Sequence, residues 1–201
     1  MRGLRERGHT IERLDLGGGF GIPYQNELAP TPSEIAATIR ETVGDLGCAL
    51  AVEPGRSIVA DAGVLVTRVE FVKEGSEIRF AVVDAGMNDL MRPAMYDSHH
   101  DIVPVKLPES DIESLAYDVV GPICESSDTF AKRRMLPRLS SGDLVLLATA
   151  GAYGATMAGT YNARDLVPEV LVDAGRFAVV RRRVSLEEQL GWEAMPAWLT
   201  Q

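Results

Sequence analysis

The sequence predicts an α/β segment followed by an all-β domain, and a change of texture near residue 62 predicts it. Up to about Asp61, short apolar runs alternate with one strong helical pattern, the way a parallel α/β unit reads. From Gly63 onward, short runs rich in Val, Ile, Leu and Phe are punctuated by Gly, Pro and Asp, which suggests a β-sandwich or barrel.

Taken in order, residues 2–8 read as the tail of a helix and residues 11–16 as a strand ending in Gly17-Gly18-Gly19-Phe20-Gly21. A proline-containing loop leads to Pro30. Thr31 can cap a helix, Pro32 suits its first position and Glu34 can close a capping box. Ile35, Ile39, Val43 and Leu46 follow at helical spacing, so one face is expected to pack inward. Residues 48–52 read as a second strand, of buried type, running into Glu53-Pro54-Gly55-Arg56. Residues 63–72 and 78–83, joined by Lys73-Glu74-Gly75-Ser76, read as a hairpin. Further strands are expected at 102–107, 117–120, 143–148, 167–172 and 177–183, the last two joined by Asp173-Ala174-Gly175. A short helix is expected at 185–190, and there is no repeat or low-complexity tract.

Composition narrows the function. The chain of 201 residues carries 46% hydrophobic and 24% charged residues, which places it among chains that fold. Its net charge of −9 repels phosphate backbones and anionic lipid, so neither nucleic acid nor membrane is an expected partner. Cys48 and Cys124 form no close-spaced metal pattern and suggest no disulfide scaffold, which fits a reducing compartment. The first residues lack the apolar core of a signal peptide, and no stretch reaches the ~18 apolar residues of a spanning helix, so the expected location is the cytoplasm.

Five segments carry chemistry, each with a plainer reading beside it. Gly17, Gly18, Gly19 and Gly21 lie straight after a strand, where backbone N–H groups can converge on a phosphate; the alternative is a flexible turn. Arg56 can clamp a phosphate or carboxylate and Glu53 can face a ring nitrogen; alternatively the two form a surface salt bridge. Arg92-Pro93-Ala94-Met95-Tyr96 puts a cation and a phenol four residues apart, or is a surface loop. Gly121-Pro122-Ile123-Cys124-Glu125-Ser126-Ser127-Asp128 puts a thiol beside two carboxylates, or holds a structural cysteine. Gly151-Ala152-Tyr153-Gly154 is a packed turn or a loop close to a ligand. His99-His100 has no third ligand at metal spacing and reads as solvated loop, so no metal is expected.

With these segments in this order, the chain resembles the diaminopimelate decarboxylases, pyridoxal-phosphate enzymes of the alanine-racemase-like barrel class. The matching stretches are L-D-L-G-G-G-F-G (14–21), E-P-G-R-S-I-V (53–59), D-A-G-M-N-D-L-M-R-P-A-M-Y (84–96), G-P-I-C-E-S-S-D (121–128) and G-A-Y-G (151–154). The resemblance implies that residues 1–62 are the last strands of a pyridoxal-phosphate-binding (β/α)8 barrel and residues 63–201 a C-terminal β domain with substrate and dimer contacts.

It also implies roles. Gly17, Gly18, Gly19, Gly55 and Arg56 would hold the phosphate of pyridoxal 5′-phosphate, Glu53 would pair with its ring nitrogen, and Tyr153 would touch it. Arg56, Arg92 and Tyr96 would hold the distal carboxylate of meso-diaminopimelate, and Glu125 its distal ammonium. Cys124 would return a proton. Cys124 and Glu125 are expected to reach the site of another subunit, which implies a homodimer. Family members are about twice this long and carry their cofactor-linked lysine further forward, whereas the lysines here are Lys73, Lys106 and Lys132, none at such a position. The chain is therefore expected to be a C-terminal half that needs a complementary N-terminal half. The alternatives are a related ornithine, arginine or carboxynorspermidine decarboxylase, or a non-catalytic partner of a full-length homologue.

Overall fold

The computed structural model describes residues 1–25, 27–106 and 113–199. A short helix α1 (Arg2–Glu6) precedes β1 (Arg13–Asp15), α2 (Pro32–Val43) and β2 (Ala49–Ala51). β1 and β2 pair in parallel, Arg13 against Ala49 and Asp15 against Ala51, so β1-α2-β2 is one crossover unit. α2 starts where its residues require: the Thr31 hydroxyl accepts from the Glu34 N–H, and the Glu34 carboxylate accepts from the Thr31 N–H at 2.7 Å. Two expectations need correction here. The apolar face of α2, Ile35, Ile39 and Val43, is half-buried rather than buried, and β2 is not of buried type: Leu50 is 37% exposed. A parallel sheet buries its strands only when neighbours and helices cover them, and among the described residues each strand has one neighbour.

Beyond the short helix α3 (Arg56–Val59) and a 3₁₀ turn at Ala60–Ala62 comes the β region. It consists of β3 (Leu65–Glu74), β4 (Arg79–Val83), α4 (Arg92–Tyr96), β5 (Ile102–Pro104), β6 (Ser114–Val120), β7 (Thr129–Pro137) and β8 (Leu144–Leu147). The six strands form one mixed sheet, ordered β5-β8-β3-β4-β6-β7, in which only β4 and β6 run parallel. The sheet is nearly closed, because β5 and β7, the ends of the order, lie against each other. Arg134 of β7 bridges the seam, donating to the His100 carbonyl at 3.0 Å and lying 3.5 Å from Asp101.

Alternating positions fill the interior: Val69 on β3, Ala81 and Val83 on β4, Leu115, Tyr117 and Val119 on β6, and Val145 and Leu147 on β8. The buried Tyr117 hydroxyl accepts from the Leu139 N–H at 3.2 Å, which satisfies its polar end. β9 (Glu169–Asp173) and β10 (Arg176–Arg181) form a separate antiparallel ribbon rather than joining this sheet, and α5 (Leu186–Leu190) follows with Ser185 as its cap. The ribbon turns through Ala174 and Gly175, both at positive φ.

β7 is the strand that the sequence does not announce. Lys132, Arg133 and Arg134 interrupt its apolar pattern, and it carries a bulge opposite β6 where Arg133 sits at φ 49°. Leu107, the expected end of β5, lies outside the described residues.

Candidate functional site

Two strand ends bring the glycine turn and the Glu53 turn side by side. The Leu16 N–H donates to the Ala51 carbonyl at 3.0 Å, and the Glu53 N–H donates to the Gly17 carbonyl at 2.9 Å. Gly17 and Gly19 take φ of +71° and +85°, a region costly for a residue with a Cβ. At Gly18 an added Cβ would lie 2.8 Å from the Glu53 carbonyl oxygen, so the two turns touch through it. At Gly17, Gly19 and Gly55 a Cβ would meet nothing within 4 Å. This is an open cradle with bare backbone on its wall, the shape and chemistry that a phosphate group fits. Glu53 is exposed and Arg56 half-buried, and the two form no ion pair with each other, so the salt-bridge reading of this turn is set aside.

The stretch from Asp84 to Arg92 is a platform. Asp84 accepts from the Thr67 hydroxyl at 2.6 Å and the Arg68 N–H at 2.8 Å, and Asp89 accepts from the Gly86 N–H at 2.9 Å. Asn88, fully buried, donates to Gly159 and accepts from Arg164 Nε at 2.9 Å. Burial pushes the Asp89 carboxyl above its ordinary value, opposed by the Gly86 N–H and by Arg164.

On this platform Arg92 opens α4 and is only 8% exposed, so the surface-loop reading fails. Its Nη1 donates to the Tyr24 hydroxyl at 2.7 Å and lies 3.4 Å from His100 Nε2. Its guanidinium carbon sits 4.9 Å from the Tyr24 ring centroid and 5.9 Å from that of Tyr153. No carboxylate of the described residues pairs with it. His100, expected in a solvated loop, is fully buried; its Nδ1 lies 2.9 Å from the Ala148 carbonyl. Burial holds its pKa below the usual imidazole value; the Ala148 carbonyl opposes this and the Arg92 charge adds to it. A neighbour pattern one helix turn away decides the difference, since the backbone reverses at Asp97 (φ 51°) and folds His100 back under Arg92.

Tyr96, one turn along α4, is exposed and lines a cavity of about 780 Å³ with Ser126, Ser127, Lys132 and Arg134. The neighbouring turn at 121–128 is fixed from within. Asp128, 3% exposed, accepts from the Ile123 and Met87 N–H groups at 2.7 Å each. A Cβ at Gly121 would stand 2.3 Å from that carboxylate. Burial raises the Asp128 pKa, with the two N–H groups opposing. The two carboxylates beside the thiol therefore differ: Asp128 braces the turn, whereas Cys124 and Glu125 are exposed. Neither Cys124 nor Glu125 hydrogen-bonds or ion-pairs with Arg56 or Arg92 in this chain.

The turn at 151–154 ties the cradle to the Arg92 cluster. The Ala150 N–H donates to Gly63 at 2.8 Å and the Gly151 N–H to Ala60 at 2.9 Å, which docks the turn on the segment that follows α3. A Cβ at Gly151 would fall 1.9 Å from the Val59 carbonyl oxygen, and one at Gly154 2.2 Å from that of Ala150. Tyr153 is held at φ 61°, a strained conformation for a side-chain-bearing residue, with its ring toward Arg92. Thus Gly17–Glu53, α3, the 151–154 turn and Arg92 form one contiguous path. The sequence reading missed Tyr24, His100 and the Asn88–Asp89–Arg164 cluster. Tyr24 stands in a Pro-containing loop just after the glycine turn, and an aromatic there is its only local sign.

Comparison with known proteins shows what the chain as a whole is similar to. The family described as "Pyridoxal-dependent decarboxylase, C-terminal sheet domain" matches residues 30–151. A diaminopimelate decarboxylase of Neisseria meningitidis serogroup B is 49% identical over 190 residues, 94% of this chain and 45% of that protein. The chain spans about half the length of the curated relatives it matches. The crystal structure of a diaminopimelate decarboxylase from M. jannaschii in complex with L-lysine superposes with a TM-score of 0.90 at 37% identity, covering 98% of this chain and 46% of that one. A lysine/ornithine decarboxylase from Vibrio vulnificus complexed with cadaverine gives a TM-score of 0.70 at 30% identity, covering 81% of this chain and 44% of that one.

Proposed function

Since the chain belongs to the pyridoxal-dependent decarboxylases through their C-terminal sheet domain, we propose that it supplies the carboxy-terminal portion of a diaminopimelate decarboxylase, which converts meso-2,6-diaminopimelate to L-lysine and carbon dioxide. The observation that carries this reading is Arg92: a guanidinium 92% withdrawn from solvent, braced on three sides and paired with no carboxylate among the described residues. A buried charge without a counter-ion is costly, so the site is arranged for an anion that arrives with the substrate.

When bound, pyridoxal phosphate supplies the electron sink that accepts the pair left as carbon dioxide departs. Gly17, Gly18 and Gly19, with Gly55 and Arg56, would hold its phosphate; Glu53 would pair with its ring nitrogen and Tyr153 would touch it. Arg92, assisted by Tyr96 and Arg56, binds the distal carboxylate, and Glu125 the distal ammonium, so both charges at the far end are matched. Arginine suits the carboxylate because its planar donors engage both oxygens at once. Cys124 carries the proton returned to the α-carbon. Cys124 and Glu125, exposed on a braced turn, are in this reading offered to the site of a second copy, and the proposed working unit is a homodimer.

Residues 1–62 contribute the last strands of a (β/α)8 barrel, and residues 63–201 the β domain. Both cysteines are free thiols, which supports a cytoplasmic setting.

The test measures carbon dioxide release after the chain is joined to the amino-terminal half of a full-length relative. Arg92→Ala should lower kcat/KM for meso-diaminopimelate by about 30-fold to several thousand-fold, the cost of unmatching a buried pair, with cofactor affinity retained. Cys124→Ala should lower kcat and leave KM nearly unchanged, since a proton donor acts in the transition state. Equal turnover of ornithine or lysine, with Arg92→Ala silent, would refute the assignment in favour of a decarboxylase for substrates lacking a distal carboxylate.

A further inference from the structure

We propose that His100 is a positioning residue that sets which edge of the Arg92 guanidinium meets the substrate. The proposal rests on the assignment of Arg92 to the distal carboxylate and adds to it how that group is aimed. Arginine has no acceptor, so the contact at 3.4 Å between Arg92 Nη1 and His100 Nε2 is possible as a hydrogen bond only if Nε2 carries a lone pair. Nδ1 then carries the proton and donates it to the Ala148 carbonyl at 2.9 Å. The network thereby assigns one neutral tautomer, and the imidazole becomes a strut between the end of β8 and the start of α4. Ala148 is itself anchored, its N–H donating to Asp101 at 2.8 Å.

The consequence concerns the hydrogen count on Arg92. Nη1 has two hydrogens; one goes to the Tyr24 hydroxyl at 2.7 Å and the other to His100. Nε and Nη2 have no hydrogen-bond partner among the described residues. A carboxylate that binds with both oxygens therefore does so along the Nε–Nη2 edge, with Nη1 turned toward the protein. The rings of Tyr24 and Tyr153 flank the group at 4.9 and 5.9 Å, but they do not choose how it is turned within its own plane. His100 and the Tyr24 hydroxyl make that choice.

The test begins on the full 201-residue chain. Long-range nitrogen–proton correlation of the imidazole should find His100 protonated at Nδ1 and bare at Nε2; protonation at Nε2 overturns the proposal. The Arg92 Nη1 and Nη2 resonances should be resolved in the parent and in His100→Gln, whose amide can both donate and accept, and should coalesce in His100→Leu. In the enzyme completed with the amino-terminal half of a relative, His100→Leu should raise KM for meso-diaminopimelate about tenfold or more, with kcat within about threefold. That is the loss expected for one bond to a charged group. His100→Gln should recover most of it. If Arg92→Ala raises KM and His100→Leu does not, the positioning role is wrong and the substrate assignment stands; if neither variant changes KM, the assignment itself fails. Should His100→Leu not fold, the tautomer in the parent and the KM of His100→Gln decide.

Discussion

Replacing Gly151 by alanine places a methyl group where the chain has none to spare. The new Cβ would lie 1.9 Å from the Val59 carbonyl oxygen, 2.9 Å from the Gly63 nitrogen and 3.0 Å from the Ala60 carbonyl oxygen. All three obstacles are backbone, so no side chain can swing aside. The two segments must part by about 1 Å or more, as in any overpacked interior. That movement breaks the 2.9 Å hydrogen bond from the Gly151 N–H to Ala60, and strains the 2.8 Å bond from Ala150 to Gly63. Overpacking costs about 1–3 kcal/mol, and a buried N–H left without a partner costs a similar amount. A total near 4 kcal/mol corresponds to a fall in Tm of roughly 10 °C for a chain of this size. The assay is thermal unfolding of the full chain by far-ultraviolet circular dichroism, with Gly159→Ala as the control. A Cβ at Gly159 meets nothing within 4 Å, so its Tm should stay within about 3 °C of the parent. If Gly151→Ala melts within about 2 °C of the parent, the turn is not clamped and the path from cradle to Arg92 is not rigid.

Two other outcomes are expected. His100 is held below its ordinary pKa by burial, so below pH ~6.5 the unfolded chain binds a proton that the folded chain refuses. Stability should therefore fall as pH drops from about 6.5 toward 5, by no more than about 1.4 kcal/mol per unit, and His100→Gln should flatten that limb in a series of thermal melts. Asp89 and Asp128, whose pKa values are raised, act in the opposite sense: their contribution is full below pH ~3.9 and is lost as pH rises through their folded values, so they do not cause this decline. Gly18→Ala should weaken pyridoxal phosphate binding about three- to tenfold in an absorbance titration of the chain, because its Cβ forces the Glu53 turn outward from 2.8 Å. Gly21→Ala, with open space around it, should bind as the parent does.

Local chemistry was readable wherever it rests on neighbours in sequence. The Thr31–Pro32–Glu34 start of α2, the turn at Asp173–Gly175 and the Ser185 cap of α5 each need only three or four consecutive residues, and each forms as those residues dictate. Burial was less readable, because it depends on what lies across space. The same apolar spacing that makes α2 a helix cannot say whether a partner covers its face, and here Ile35, Ile39 and Val43 are half-covered. Long-range pairing defeated the reading twice. β7 is a strand because β6 supplies its ladder, despite three consecutive cations, and His100 is buried because a left-handed residue at Asp97 returns the chain beneath α4. The cradle and the Arg92 cluster could be suspected from motif order, but the link between them runs through Gly151, whose small size matters only against the distant backbone of Val59, Ala60 and Gly63.

The seam between β5 and β7 has a mechanical meaning. A sheet closed by a backbone ladder opens only by losing many bonds together, whereas among the described residues this one is joined at its last edge by the Arg134 guanidinium on the His100 carbonyl, with His99 and Asp101 beside it. Arg134 is partly desolvated, and burial lowers its hold on its proton while Asp101 restores it, so the latch is a matched pair of modest strength rather than a weld. Opening there would break no backbone ladder among the described residues, but it would uncover Ile102, Phe130 and Leu136, which share one interior with Tyr117. The latch ends on the carbonyl of the residue that aims Arg92, so the closure of the sheet and the setting of the buried cation share His100.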